Sequence, residues 1–453
     1  MGGGLIRYGG RAAFAAWAAV LVASGLAGGQ DRYRVPVFED WESPAPRAAR
    51  NLSDNGVAPV AWEEPADDSV EQASFMQPPS LQPSQPARQP VRRAPRSLQE
   101  SNLRLASVPN MFGDLGMATA IIDVKRGADG TAGFSADVDL PTAGGSRRVK
   151  IAENDSPIPV DRVFFNYNHF HNVFQLSEQL SFPPGLPPTI RQVSIDRYTV
   201  GVEKTMADGQ YSVELRLPFN GTYDEQLQTV GVDGRNIGNL ALVFKSLLYS
   251  DEALAIGAGL GLDTPTGGDT IGRIGQTNIR FNNQALHVLP YIGFLVAPGD
   301  PTWGWNDGLF LSGFAQIDIA TDGNSVNLLA PGAPTAQSLG KFNEQNLAFL
   351  DLGLGYWLYR NPYAERLTGL SVVSELHYTT SLQNSDVLAL NLGGGAITVA
   401  SRGNRFDVLN GTIGVQMLMF ELSSLRVAGV FPLRSEDQRF FDSEVQVQFN
   451  RRF

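Results

Sequence analysis

The sequence predicts an all-β protein, a closed antiparallel up-and-down transmembrane β-barrel of about 12 strands. A signal peptide, a disordered tether and a small plug or cap segment are predicted to precede it. Three observations lead to this fold class. The chain ends on an amphipathic strand, the region from residue 161 onward repeats alternating runs of strand length, and the connections between these runs alternate between short and long.

The last strand has two chemically distinct faces. Val445, Val447, Phe449 and Phe453 fall on one face, and the intervening residues are mostly polar. Successive side chains of a strand point to opposite sides, so one face suits lipid and the other a wet lumen. The ending resembles the C-terminal assembly signal of bacterial outer-membrane barrels, and this resemblance implies that Phe453 and Phe449 guide assembly.

Composition excludes several classes of protein. The chain has 453 residues and no cysteine, so disulfides and thiolate metal sites are absent. A net charge of −11 argues against nucleic acid as a partner, because phosphate binding needs a cationic surface. The mean hydropathy of −0.12 excludes a helical membrane protein but suits a barrel, whose strands are half polar.

Residues 1–29 have the order of segments found in a secretory signal peptide. Arg7 and Arg11 precede an apolar run at 12–26, and small residues follow it. The run is shorter than the roughly 20 residues that a membrane-spanning helix needs. We therefore expect export across the inner membrane and a final location in the outer membrane.

The segment between the signal peptide and the barrel has two parts. Residues 30–102 are rich in proline, which cannot donate to a sheet, and they predict a disordered periplasmic tether that could contact the cell wall. In residues 103–160, short strands are predicted at 118–125 and 148–152. This second part could fold into the lumen as a plug or form a periplasmic cap, and the sequence is compatible with both.

From residue 161 to 453 the predicted barrel contains an even number of strands, as a bacterial barrel requires when both ends are periplasmic. The runs are 162–174, 193–204, 209–219, 240–249, 253–262, 286–297, 309–320, 347–359, 367–382, 406–420, 425–433 and 440–453. Connections after the odd-numbered runs are mostly long and those after the even-numbered runs are mostly short, which predicts outer loops and periplasmic turns. The short connection at 434–439 is an exception.

Polar residues on the predicted inner faces are candidates to line the lumen. They carry charges of both signs, which would create a transverse field in a wet channel. Either they line a pore or they pair and fill the lumen, and the sequence leaves both open. The candidates are Asn166, Asn168, Glu214, Arg216, Lys245, Asp318, Asp351, Glu375, His377, Gln416, Arg426, Glu444, Gln446 and Gln448. Inward glycines such as Gly257 and Gly353 leave room on the inner wall or let a plug approach it closely.

The chain offers little material for catalysis or metal binding. Only four histidines are present. His169 and His171 share a strand face, but no carboxylate is placed beside them by sequence. His377 shares a predicted inner face with Glu375, without a serine in any recognisable motif. We predict no catalytic, metal or cofactor-binding residue and no enzyme activity.

The stretch from Gly257 to Gly267 carries a further resemblance. Its alternation of glycine and leucine, followed by Pro-Thr-Gly, is similar to the strand-end motif of outer-membrane transporters of the phenol-degradation and fatty-acid-uptake type. The proline-rich tether followed by Val108–Asp114 resembles uncharacterised outer-membrane proteins of planctomycete-like bacteria. The first resemblance implies transport of a small molecule through a barrel, and no substrate follows from the second.

The leading hypothesis is an outer-membrane channel or transporter for small molecules, with apolar or weakly acidic solutes as the first expectation. Its partners would be outer-membrane lipid, the barrel assembly machinery and the solute. One alternative is a structural or adhesive barrel anchored to the cell wall through residues 30–102. A lesser alternative is a lipid hydrolase that uses His377.

Deleting Phe453 should reduce insertion of the barrel into the outer membrane, because the terminal aromatic is the expected recognition element. The amount of inserted barrel measures the effect. Normal assembly of the truncated chain would contradict the assigned role.

Overall fold

The computed structural model describes residues 105–114, 119–126, 134–141, 148–180, 187–221, 225–234, 237–298, 308–361, 363–392, 395–401, 404–420, 422–435 and 438–453. The predicted signal peptide and tether lie outside these residues. Within the described ranges, no helix has the length and apolar character needed to cross a membrane.

The described residues form 22 strands. In chain order they are β1 (Thr119–Arg126), β2 (Phe134–Pro141), β3 (Arg162–Leu180), β4 (Thr189–Met206), β5 (Tyr211–Asn220), β6 (Glu225–Gln226), β7 (Val230–Gly234), β8 (Leu240–Ser250), β9 (Leu254–Thr264), β10 (Thr270–Ile274), β11 (Thr277–Phe281), β12 (His287–Val296), β13 (Leu309–Ala320), β14 (Asn324–Leu329), β15 (Gln337–Phe342), β16 (Leu347–Arg360), β17 (Leu367–Ser381), β18 (Val387–Leu392), β19 (Gly395–Ser401), β20 (Asp407–Met419), β21 (Ser423–Pro432) and β22 (Ser443–Arg452).

Twelve of the described strands close into an antiparallel barrel, as predicted. They are β3, β4, β5, β8, β9, β12, β13, β16, β17, β20, β21 and β22. The first, β3, pairs with both β4 and β22, so the ring has no open edge. Closure pairs the backbone N–H and C=O groups of the wall within the protein, which a lipid environment requires.

The two faces of the wall differ as the alternation predicted. In β22, Val445 and Phe449 are exposed on the outside, whereas Glu444, Gln446 and Gln448 are buried on the inside. The outward row is apolar around the ring, with exposed residues that include Val200, Leu215, Leu260, Ile292, Leu350 and Val415. An apolar exterior around a polar interior is the arrangement of a transmembrane barrel.

Tight turns mark the periplasmic end. Between β4 and β5, Ala207 and Asp208 have φ values of 50° and 55°, followed by Gly209 at 82°. Consecutive positive φ values match the twist of paired strands and allow a short hairpin. The short connection between β21 and β22 lies at the opposite end, so the exception seen in the sequence is real.

The long outer loops contain strands that the sequence prediction treated as plain connections. One six-stranded sheet runs β15-β14-β11-β10-β7-β6. A second group, β18-β19-β1-β2, continues onto the outer part of β3. Apolar residues of both sheets form one cluster, the outer core, which includes Ile122, Val138, Ile279, Val326 and Val399. Apart from β1, which the sequence predicted, these strands are short and their partners come from segments far apart in the chain, so alternation alone did not reveal them.

The predicted strand at 118–125 is β1, but the one predicted at 148–152 is wrong. Residues 148–152 form a turn-rich stretch without strand pairing. Side chains of the barrel satisfy its backbone instead. Gln316 accepts from Ile151 N at 2.7 Å and donates to Val149 O at 2.8 Å.

Shortening Ile279 to alanine should destabilise the outer core by about 2–5 kcal/mol, because this side chain is fully buried between the two sheets. Protease cleavage of the outer loops in the intact, folded protein reports the loss. Ile237→Ala is the control, since Ile237 is 53% exposed and its truncation should change stability by less than about 0.5 kcal/mol. Equal protease resistance of both variants would contradict a packed outer core.

Candidate functional site: a plugged lumen

Residues 105–114 and 148–160, which we call the plug, lie inside the barrel. At the periplasmic end, Arg452 donates to the carbonyl of Ala106. Farther along, the amides of Phe112 and Gly113 donate to Glu375 at 2.7 and 2.9 Å. The chain thus rises through the lumen, contributes β1 and β2 to the outer sheet, and returns through residues 148–160 to the start of β3.

Glycines on the inner wall make room for the plug. A Cβ at Gly257 would lie 2.3 Å from the carbonyl oxygen of Pro157, and one at Gly414 would lie 2.6 Å from the ring of Phe112. Larger residues at these positions would displace the plug. Gly355, by contrast, accommodates the ring of Phe310 from the wall itself.

Six charged side chains, the Asp155 cluster, join the returning plug stretch to four strands. They are Asp155 of the plug and Arg162, Glu203, Glu214, Arg216 and Lys245 of the wall. Lys245 Nζ lies 2.6 Å from Asp155 and 2.9 Å from Glu203. Arg162 reaches Glu214 at 2.6 Å and Glu203 at 2.8 Å. Three cations therefore face three carboxylates.

The balance of charge in this cluster decides its stability. All six residues are buried. Moving an ion out of water costs several kcal/mol, and only close partners with additional hydrogen bonds offset that cost. Ser212 supplies one such bond, donating to Glu203 at 2.7 Å. Losing one cation would leave a carboxylate uncompensated.

A second group, the Asp114 cluster, anchors the rising plug stretch. Lys150 contacts Asp114 and lies 2.7 Å from Asp351. His377 lies 2.7 Å from Asp351 through Nδ1 and 3.1 Å from Glu375 through Nε2. Carboxylates on both ring nitrogens suit a protonated imidazole. Such a ring is not poised as a general base, so this contact does not support the lipid-hydrolase alternative.

A third group holds the plug near the outer end. Arg148 lies 3.1 Å from both Asp318 and Glu344, and it donates to the carbonyl of Gln345 at 2.7 Å. His287 contacts the same Asp318 at 2.7 Å. The plug is therefore held by charge at three heights of the lumen.

Arg426 binds the plug in a different way. Its guanidinium donates to the carbonyls of Asn110 and Met111 and lies 4.0 Å from the centre of the Phe112 ring. Among the described residues, no carboxylate forms an ion pair with it. These contacts to backbone carbonyls and to an aromatic ring hold the plug without requiring a charged side chain on the plug.

All fourteen candidates from the sequence are buried on the inner side of the wall. Gln446 and Gln448 donate to the carbonyls of Gly113 and Phe112 at 2.9 and 3.0 Å. Asn166 accepts from Asn154 at 2.7 Å. Asn168 reaches Glu444 rather than the plug, at 2.7 Å. Gln416 lies opposite Arg426 in the register of β20 and β21.

Several functional residues escaped the sequence prediction. Arg162 and Glu203 sit on inward positions of predicted strands, so alternation could have found them. Asp114, Lys150 and Asp155 belong to the plug, where no periodicity marks the residues that face the wall. Their roles depend on contacts made across the lumen.

Among the residues that the structure describes, two groupings of carboxylate and histidine side chains have the spacing of a metal site. One is Asp114 with Asp351 and His377, and the other is Asp155 with Glu203 and Glu214. Protein cations already occupy both, since Lys150 lies in the first and Lys245 in the second. His169 faces outward and contacts Asp196 at 2.8 Å. The chemistry of these groups is that of ion pairs rather than of a metal centre.

Asp161 marks the junction between the plug and the wall. It accepts from Lys204 at 2.8 Å and from the amide of Thr205 at 2.6 Å. Burial alone would raise its pKa, but these hydrogen bonds outweigh burial and hold the pKa of Asp161 below its ordinary value. The carboxylate is thus charged at neutral pH, and its own carbonyl accepts from Phe453 N at 3.3 Å.

Two outward tyrosines of the wall have hydrogen-bonded hydroxyl groups. The hydroxyls of Tyr167 and Tyr378 donate to Asp196 and Asp407, each at 2.8 Å. Tyrosines that combine an apolar ring with a polar end are typical of a membrane interface. The chain has the fold of a transmembrane β-barrel. Its apolar wall and polar interior together define this fold.

Known structures share this general architecture at low similarity. An outer-membrane channel from Pseudomonas putida F1 is 11% identical, with a TM-score of 0.38 over 68% of this chain and 100% of the channel. The toluene transporter TbuX of Ralstonia pickettii is 11% identical, with a TM-score of 0.32 over 65% of this chain and 90% of the transporter. The β domain of the Bordetella autotransporter BrkA is 9% identical, with a TM-score of 0.38 over 65% of this chain and 100% of that domain.

The sequence matches no protein-family model, and no curated protein sequence is significantly similar to it.

Replacing Lys245 with methionine should destabilise the folded barrel by about 3–5 kcal/mol, because Asp155 and Glu203 lose a buried partner. Urea unfolding of the detergent-solubilised protein measures the change. Lys204→Met is the matched control. Its ion pair with Asp161 has a similar length, 2.8 Å, but Lys204 is 63% exposed, so about 0–1 kcal/mol is expected. Equal effects of the two substitutions would contradict the buried network.

Proposed function

We propose that this barrel is a gated channel for small solutes in the bacterial outer membrane, and that the plug closes it. The observation that carries this proposal is the chemistry of the contact between plug and wall. Charged and amide groups hold the plug at several heights. The Asp155 cluster alone places one plug carboxylate among three cations of the wall.

Filling a lumen permanently with buried charged groups carries a large desolvation free energy. Well-packed apolar residues of similar volume often stabilise a protein as well as a buried ion pair, or better. Charged groups have a different advantage, because water can replace each partner when the plug moves. A polar contact between plug and wall therefore favours a closure that can open.

The exposed wall would favour small polar solutes. Displacing the plug would uncover Glu203 and Glu214 beside Arg162, Arg216 and Lys245, which carry opposite charges. A wall of mixed sign attracts polar groups without selecting strongly for anions or cations. It offers little to the apolar solutes that were the first expectation from sequence.

The test is to lock the plug to the wall. Asn450 donates to Asn154 at 2.9 Å across this contact, and the natural chain has no cysteine. The variant Asn154→Cys/Asn450→Cys can be joined by oxidation or by a short bis-thiol reagent. In planar bilayers we expect transient openings of the wild type and of the reduced variant, and their loss after joining.

Each single-cysteine variant, treated with the same reagent, is the control and should keep its openings. Recovery of openings on reduction shows that joining did not misfold the barrel. Openings that persist in the joined variant would overturn the proposal. So would a wild type that never opens at any voltage.

A structural barrel anchored to the cell wall through residues 30–102 is the second candidate. The observation in its favour is the outer core, which stacks two packed sheets above a filled lumen. A barrel that displays these sheets at the cell surface needs no opening. The absence of openings in the wild type and in both single-cysteine variants would support this candidate over the channel.

A further inference from the structure

An apolar groove of 510 Å³ lies on the lipid-facing side of the wall, outside the lumen. It crosses the strands from β20 to β9. Its sides are formed by Ile292, Phe294, Leu350, Leu352, Leu376 and Tyr378.

The groove results from one small side chain, that of Ala315, set among large ones. One row of register partners runs Leu409, Tyr378, Leu350, Ala315 and Ile292. In the next row Gly313 lies between Leu352 and Phe294. The ring of Phe294 covers Gly313, so the depression lies over Ala315, in a wall that is otherwise built from bulky side chains.

The groove has a defined direction. Tyr378 and Leu409 lie close to the outer ends of β17 and β20, whereas Ile292 lies near the middle of β12 and Ile256 near the periplasmic end of β9. Six strands at a spacing of 4.7–4.9 Å give the groove a length of about 24 Å. It thus descends from the outer membrane interface into the bilayer, in the direction of an acyl chain of the outer leaflet.

Two arginines stand at the outer end of the groove. Arg405 and Arg434 are both exposed. The guanidinium of Arg434 lies 5.9 Å from the centre of the Tyr378 ring, and that ring lines the groove. Tyr378 and Thr380 donate to the carboxylate of Asp407 in the same region. Two guanidinium groups, which stay charged at neutral pH, therefore stand at the outer end of the groove.

In their hydrogen bonds to the described residues, Arg405 and Arg434 each use only part of their N–H donors. Arg405 donates to the carbonyl of Ser381 at 3.2 Å. Arg434 donates to Gln438 and to the carbonyl of Asp407 through one nitrogen. A guanidinium has five N–H donors and matches the geometry of phosphate, so donors of both side chains can serve a phosphate group.

We propose that this groove binds one outer-leaflet lipid with a phosphorylated headgroup, of the lipid A type. An acyl chain occupies the depression over Ala315, and the phosphate lies between Arg405 and Arg434. The groove lies outside the lumen, so lipid binding and the proposed channel can be tested separately, and either proposal can fail without the other.

Native mass spectrometry of the detergent-solubilised full chain tests the site, with lipid A as the probe and phosphatidylcholine as the reference lipid. We expect one molecule of lipid A to be retained in preference to phosphatidylcholine. Arg405→Gln/Arg434→Gln should weaken retention roughly tenfold, and Ala315→Leu, which fills the groove, should do the same. Inorganic phosphate should not compete, because it lacks the chain.

Two variants serve as matched controls. Arg366→Gln removes an exposed arginine at the periplasmic end, and Ser374→Leu adds an apolar side chain to the outward face of β17 outside the groove. Both should retain lipid A like the wild type. Heat-shifted mobility on gels verifies that every variant is folded. Equal retention of both lipids, or loss in the controls as large as in the groove variants, would overturn the proposal.

Discussion

The guanidinium of Arg162 contacts both the strands that close the ring and the plug inside it. Arg162 is the first residue of β3, the strand that closes the ring with β22. Its side chain reaches Glu203 on β4, Glu214 on β5 and Asn450 on β22. It also reaches the carbonyl of Asn154 and the carboxylate of Asp155 in the plug. Because one cation serves both contacts, ring closure and plug seating depend on each other.

This coupling gives the lumen a physical character unlike that of a packed apolar core. Each buried charge is tolerated only while its partner is in place. The wall and the plug are therefore complementary in charge, and neither surface suits an apolar replacement. The same property allows the plug to be exchanged for water, which connects the electrostatics of the closed lumen to the proposed gating.

The outer end is organised by different forces. The outer core brings together apolar residues from the plug-side hairpin of β1 and β2, from β3 and from four outer loops. Hydrophobic burial holds these sheets, and the barrel positions the loops that carry them. On the lipid side, the small side chain of Ala315 interrupts the bulky apolar wall. The protein thus presents three environments: a charged lumen, an apolar outer core and a grooved lipid face.

The strands, their two faces and the closure of the ring were determined by the sequence itself, because alternation is a local property. Val445 and Gln446 point in opposite directions whatever else the chain does, and turn residues such as Gly209 mark where a strand must end. The inward position of Lys245 and Glu214 followed from the same rule. Only the tertiary structure decided which charges meet. Asp155 lies 90 residues from Lys245 in the chain, and no periodicity in residues 148–160 indicates which side chain faces the wall. The outer core is equally non-local, since β1 pairs with β19 across most of the sequence. Contacts of this kind arise when a closed ring forces distant segments into one space.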